Sequence, residues 1–213
     1  MNQKLVDQLL LYAITYENIE LETLLRQVEE TLEGGATILQ LREKTIDKED
    51  YLFRAIAVKK ICDRFNVPFI VDDAVEVAAE CNASGVHLGQ SDIDTASARK
   101  ILGPDKIIGA SAKNVDEALV AQENGADYIG CGAIYETNTK EDHTEASIEM
   151  LTRVCAAVSI PVVAIGGIKE HNMTPLKNSG VVGVAVVSGI FAAPDVKETT
   201  RAFRAKAEKL FLE

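Results

Sequence analysis

No run of about 18 apolar residues occurs anywhere in the chain, so a membrane-spanning helix is not supported. The N-terminus, Met1-Asn2-Gln3-Lys4, passes straight into a mixed segment with Asp7 and Gln8. It lacks the apolar stretch and small-residue cleavage site of a signal peptide. Cysteine is sparse: Cys62, Cys81, Cys131 and Cys155 show neither a CxxC pair nor metal-ligand spacing. They read as small buried residues in a reducing compartment, which implies a cytoplasmic protein. Positive charge is also short. A net charge of −11 argues against nucleic acid or an anionic membrane as the main partner. It leaves an anionic small molecule open, because a few well-placed cations reverse the local field. No Pro-, Gly- or Ser-rich linker and no low-complexity tract divides the 213 residues. One domain spanning 1–213 is therefore expected.

What the chain does have is alternation. Short apolar runs recur at Leu11–Thr15, Ala36–Leu41, Pro68–Val71, Gly85–Leu88, Lys106–Ala110, Tyr128–Gly132, Pro161–Ile165 and Val182–Val187. Between them lie stretches with apolar residues three and four apart, such as Leu21–Leu32, Tyr51–Phe65, Val115–Asn124 and Ile148–Val158. Gly34-Gly35-Ala36, Ala83-Ser84-Gly85, Asn124-Gly125-Ala126 and Asn178-Ser179-Gly180 each precede an apolar run, as expected where glycine ends a helix in the left-handed conformation. Alternating strands and helices imply a parallel sheet, and eight units imply closure into an α/β (β/α)₈ TIM barrel. The rival, an open doubly wound sheet, would carry G-x-G-x-x-G after its first strand. That fingerprint is absent.

In a barrel, chemistry sits at the C-terminal strand ends. Along Ile38-Leu39-Gln40-Leu41-Arg42-Glu43-Lys44, Leu39 and Leu41 share one face while Gln40 and Arg42 share the other, and Lys44 follows them if the chain stays extended. An amide, a guanidinium and an ammonium in one space suit a polyanion. Asp72 and Asp73 end the third strand and Asp92 follows the fourth. Such carboxylates suit magnesium, although Asp73 has a competing role as the cap of a helix starting near Ala74. Ser111 ends the fifth strand. The sixth leads into Tyr135-Glu136-Thr137-Asn138-Thr139-Lys140, whose hydroxyls and cation could hold a phosphate or form an ordinary polar loop. Ile165-Gly166-Gly167-Ile168 and Val186-Val187-Ser188-Gly189 close the last two strands, where barrels commonly hold phosphate with backbone amides. His87 is expected in the lumen as a packed core histidine.

In this order, Gln40–Lys44, Gly85-Val86-His87-Leu88-Gly89-Gln90, Gly125-Ala126-Asp127-Tyr128-Ile129-Gly130, Ala164–Ile168 and Val184–Ser188 resemble the thiamine-phosphate synthase family from about Leu11 to Ala193. The resemblance implies a transferase of thiamine biosynthesis. It would condense 4-amino-2-methyl-5-(diphosphooxymethyl)pyrimidine with 4-methyl-5-(2-phosphooxyethyl)thiazole, releasing pyrophosphate. It also implies that Gln40, Leu41, Arg42, Glu43, Lys44, Asp72, Ser111 and Lys140 contact the pyrimidine pyrophosphate. Asp73 and Asp92 would ligate Mg²⁺. Thr137, Asn138, Thr139, Gly167, Val187 and Ser188 would hold the thiazole phosphate. Arg42, Lys44 and Lys140 would stabilise the departing charge. The partners implied are phosphorylated small molecules, with a homo-oligomer left open.

Three features depart from the family pattern. Asp72 stands where Asn is usual, Glu141–Ser147 lacks the usual Pro- and Gly-containing pattern, and Gly109–Lys113 keeps only the serine of a hydroxyl- and histidine-rich segment. A thiazole tautomerase on the same barrel is the nearest rival, but it has a working histidine where this chain has Ala133. A non-catalytic sensor of thiamine intermediates is the rival from another class. The tautomerase also lacks the full set of metal carboxylates kept here, and retention of Asp73, Asp92, Lys44 and Lys140 argues against the sensor.

Overall fold

The computed structural model describes residues 2–136 and 147–213. Eight short parallel strands close on themselves in chain order: β1 Leu11–Ile14, β2 Ile38–Leu41, β3 Phe69–Asp72, β4 Gly85–Leu88, β5 Ile107–Ala112, β6 Tyr128–Cys131, β7 Val162–Ile165 and β8 Gly183–Val186. Closure is made by β1 against β8, with Leu11 opposite Val184 and Ala13 opposite Val186. All eight expected strands are found within a residue or two of their apolar runs.

Alternation along these strands sorts the core into two layers. Leu11, Ala13, Leu39, Leu41 and Val71 point outward and pack under the helices. Tyr12, Ile14, Ile38, Ile70, Tyr128, Val163 and Ala185 point inward and fill the lumen. A short helix that the apolar pattern did not announce, α1 (Gln3–Gln8), precedes β1. It adds Leu5, and the following Leu9, to the lumen cluster. Apolar side chains thus close the N-terminal end, and the cavity can open only at the other.

The outer ring is α2 (Leu21–Glu33), α3 (Lys48–Phe65), α4 (Val75–Glu80), α5 (Thr95–Leu102), α6 (Val115–Glu123), α7 (Ile148–Ala157), α8 (Ser188–Phe191) and α9 (Val196–Phe211). Side-chain caps set several starts: Asp47, Asp94, Asn114, Ser147 and Asp195 each accept from a backbone amide in the first turn. Between β7 and β8 only two 3₁₀ turns form, Glu170–Asn172 and Thr174–Leu176, the second carrying Pro175. The expected glycine signal fails at one helix end. After α4 the left-handed residue is Asn82 (φ 51°), whereas Gly85 is a strand residue whose Cβ would strike the Ile107 carbonyl of β5. No described helix is long and apolar enough to cross a membrane.

Candidate functional site

The C-terminal mouth holds a cavity of about 360 Å³. Gln40, on the inward side of β2, and Arg42, just past its end, both line it. The Gln40 amide donates to Asp72 Oδ1 at 2.5 Å, while its own carbonyl oxygen is buried without a partner among the described residues. Such an orphan acceptor, on a residue that lines the cavity, has its hydrogen bond open for a ligand donor. Arg42 is fixed by its backbone amide on the Thr15 hydroxyl (3.0 Å) and by its guanidinium on Glu17 (3.1 Å). The Tyr51 hydroxyl of α3 reaches the carbonyls of Leu41 (2.9 Å) and Asp72 (3.0 Å), locking the ends of β2 and β3 together.

Asp73 does not cap α4. The residue at the cap position is Ala74, with no side-chain bond, and Asp73 takes a left-handed backbone (φ 57°) that turns its carboxylate into the mouth. There it meets Lys44 and the Asp92 carboxyl. Burial, then the Asp72 charge, then the Asp92 contact push the Asp73 carboxyl up to about 7, with Lys44 opposing them. For Lys44, burial works against the charge. Asp72 and Asp73 outweigh it and raise its pKa. Asp92 accepts from the Gly89 amide at 2.6 Å, which fixes it over the end of β4. Arg42 and Lys44 therefore face Glu17, Asp72, Asp73 and Asp92, so the acids outnumber the cations in this set.

This imbalance is what a divalent cation would relieve. Among the described residues no group of three or more His, Cys, Asp or Glu side chains could hold a metal unaided. A carboxylate pair nevertheless suits magnesium, which keeps several waters and shares ligands with a substrate phosphate. Asp73 and Asp92 fit that requirement.

The far rim is built for close backbone approach. Gly166 (φ 96°) and Gly167 (φ 64°) follow β7 in conformations L side chains rarely adopt. A Cβ on Gly167 would also come 2.5 Å from the Glu136 carbonyl oxygen. Val187 precedes α8, which Ser188 opens, and both residues line the cavity with Gly167. Lys169 reaches Ser188 Oγ at 3.4 Å, a cation beside this rim that the sequence pattern did not single out.

Of the expected contacts, Gln40, Arg42, Lys44, Asp72, Asp73, Asp92, Ser111, Gly167, Val187 and Ser188 line one cavity. Two do not join them. The Leu41 side chain lies in the outer layer, because period-two alternation turns it away from the lumen. Glu43 is buried against Arg54 of α3 (3.1 Å) and the Asn18 amide (3.3 Å), and burial raises its pKa. Thr137, Asn138, Thr139 and Lys140, and all but Ser147 of the Glu141–Ser147 segment, lie outside the described residues. Tyr12, His87, Gln90 and Lys113 also line the mouth although the sequence reading assigned them no role there. Only His87 carried a signal, its inward position on β4.

A closed parallel barrel whose C-terminal mouth gathers cations, carboxylates and glycine turns around one cavity is a (β/α)₈ barrel of the enzyme class. Within that class, the chain belongs to the thiamine monophosphate synthase family, whose model matches residues 11–190. A thiamine-phosphate synthase from Ruminiclostridium cellulolyticum is 48% identical over 190 residues, which cover 89% of this chain and 90% of that protein. One from Clostridium acetobutylicum is 44% identical over 90% of this chain and 91% of its own. The solved thiamine phosphate pyrophosphorylase from Pyrococcus furiosus superposes with a TM-score of 0.88 at 36% identity, covering 97% of this chain and 98% of that one.

Proposed function

We propose that this chain is a thiamine-phosphate synthase, a transferase that joins the diphosphooxymethyl pyrimidine to the phosphooxyethyl thiazole. The observation that carries this reading is the pairing of two unlike sets of polar groups in one cavity. Arg42, Lys44, Asp73 and Asp92 stand at one end, and Gly167 and Ser188 stand at the other. Two phosphorylated substrates meeting end to end need that layout.

In this reading the C–O bond to the diphosphate breaks with its electron pair leaving on oxygen. The thiazole nitrogen lone pair then forms the new C–N bond to the exposed methylene carbon. Arg42 and Lys44 favour the leaving charge, and Asp73 and Asp92 would hold Mg²⁺. When bound, the ion supplies Lewis-acid stabilisation of the diphosphate oxygens. The Gln40 carbonyl oxygen is placed to accept from an amino group, and the lumen side chains Ile14, Val163 and Ala185 offer apolar surface to a ring. No nucleophilic side chain is needed.

Ala133 lines the cavity with a methyl group, which speaks against the tautomerase reading of this barrel. We take residues 1–213 as one working domain, placed in the cytoplasm where four unpaired thiols stay reduced. Its partners are then phosphorylated small molecules rather than nucleic acid or membrane. The test is turnover of both substrates with magnesium, following thiamine phosphate and pyrophosphate together. Tight binding of both ligands with neither product formed would instead identify a sensor.

A further inference from the structure

A continuous chain of hydrogen bonds crosses the barrel lumen. The Tyr12 and Tyr128 hydroxyls are 2.8 Å apart, Tyr128 Oη is 2.9 Å from His87 Nδ1, and His87 Nε2 is 3.0 Å from Ser111 Oγ. Tyr12 and Tyr128 are 1% and 0% exposed. Their rings meet edge to face at 5.9 Å, and His87 lies tilted against Tyr128 at 5.5 Å. Glycines make the room: a Cβ on Gly109 would land in the Tyr128 ring, and one on Gly130 would come 3.1 Å from His87 Cε1. The His87 carbonyl accepts from the Asp73 amide at 2.9 Å, so the backbone is fixed too.

Proton counting gives this chain a direction. Burial keeps both phenols protonated, so each has one proton to place. Among the described residues the Tyr12 hydroxyl has no hydrogen-bond partner except Tyr128. Donating to Tyr128 is the order that satisfies this proton inside the protein, because the reverse order would leave it only the cavity that Tyr12 lines. Among the described residues Tyr128 then has His87 Nδ1 alone to donate to. With Nδ1 accepting, a neutral ring carries its proton on Nε2, from which it can donate to Ser111 Oγ. The Ser111 proton is left to point into the cavity that Ser111 lines.

We propose that His87, set as the neutral Nε2–H tautomer by the Tyr12–Tyr128 pair, is a positioning residue that makes Ser111 a hydrogen-bond donor to the bound ligand. The ligand atom it selects is an acceptor, either an anionic phosphate oxygen or an unprotonated ring nitrogen. Only the identity of that acceptor, and the kinetic arm below, rest on the synthase reading.

The tautomer is tested without substrate, by nitrogen NMR of protein carrying ¹⁵N-labelled histidine. The spectrum is recorded above the usual histidine pKa of about 6.5, and His87→Gln identifies the His87 signals. The Nε2–H tautomer is expected. Tyr128→Phe removes the donor to Nδ1 and should let the other tautomer appear. An Nδ1–H or doubly protonated ring in the unaltered protein overturns the proposal, whatever reaction the enzyme catalyses.

The second arm is kinetic. His87→Ala and Ser111→Ala should each lower kcat by about tenfold to hundredfold, the worth of one hydrogen bond to a charged group. KM for the thiazole phosphate should stay within about twofold, and the double variant should be no worse than Ser111→Ala alone. His87→Gln, which keeps one acceptor and one donor, should recover part of the loss. Losses that multiply in the double variant would show His87 acting apart from Ser111 and would overturn the proposal. If the unaltered protein makes no thiamine phosphate, the synthase reading fails while the tautomer result still decides this one.

Discussion

The Lys44 ammonium lies 2.8 Å from Asp72 Oδ2 and bonds Asp73 as well, so one cation is shared by two consecutive carboxylates at the end of β3. Asp72 also accepts from Gln40, and Arg42 Nε stands 3.8 Å from it. Asp72 therefore has not turned away from the site in response to its acidic neighbour. It is tied down by the groups that a pyrophosphate would also want, and ligand and carboxylate compete for the same donors.

Replacing that carboxylate by the isosteric amide should ease the competition. Asp72→Asn is expected to tighten binding of the pyrimidine pyrophosphate by about 1 kcal/mol, a modest figure because the nearby cations already offset much of the repulsion. Thiazole phosphate affinity should not move. Calorimetric titration of both ligands at fixed magnesium decides it. Weaker pyrophosphate binding by the Asn variant would mean that Asp72 works as a ligand or anchor whose charge is needed.

Asp73 and Asp92 should carry the metal dependence. Asp73→Ala or Asp92→Ala is expected to remove most activity, since losing Lewis-acid help at a phosphate leaving group costs several kcal/mol. Full turnover in excess chelator would refute the metal's role.

Protons should compete with that metal. The Asp73 carboxyl is raised to about 7 by burial and its acidic neighbours, so below that pH its protonated form predominates. A bound cation requires the ionised form, hence affinity rises with pH through this window. Magnesium should bind about tenfold more weakly near pH 6 than near pH 8, the ratio of ionised fractions on either side of that value. Equal dissociation constants at both would show that Asp73 is not a ligand.

The two ends of the cavity should separate by mutation. Ser188→Ala is expected to weaken thiazole phosphate by about 1–2 kcal/mol, and Arg42→Ala to weaken the pyrimidine pyrophosphate instead. Parallel losses for both ligands in both variants would contradict the division.

Much of this was legible because the strand period is two. Once Leu39 and Leu41 are assigned to the helix side, Gln40 and Arg42 have only the lumen to face, and the structure puts them there. Long-range pairing was not legible. Tyr12 and Tyr128 are 116 residues apart, and nothing local to either predicts a shared hydrogen bond. Asp73 was ambiguous for a related reason. A cap and a mouth carboxylate differ only by the left-handed turn at Asp73 itself, which the neighbours Asp72 and Ala74 do not announce.

Glu43 shows the same limit and supplies the last prediction. As a charge between Arg42 and Lys44 it reads as part of the anion site, yet alternation turns it outward into the β2–α3 interface. Its side chain is 0% exposed and meets Arg54, 19% exposed, at 3.1 Å, while the Asn18 amide donates to its other oxygen at 3.3 Å. Removing one partner of such a pair leaves the other charge poorly compensated and empties space beneath the β1–α2 loop. Glu43→Ala should therefore cost about 3 kcal/mol of stability, the low end for a buried pair because Arg54 can still reach water. KM for both substrates should change little at a temperature where the variant stays folded. Urea unfolding measures the first quantity and steady-state kinetics the second. A variant of unchanged stability with a sharply raised KM for the pyrophosphate substrate would put Glu43 back at the site.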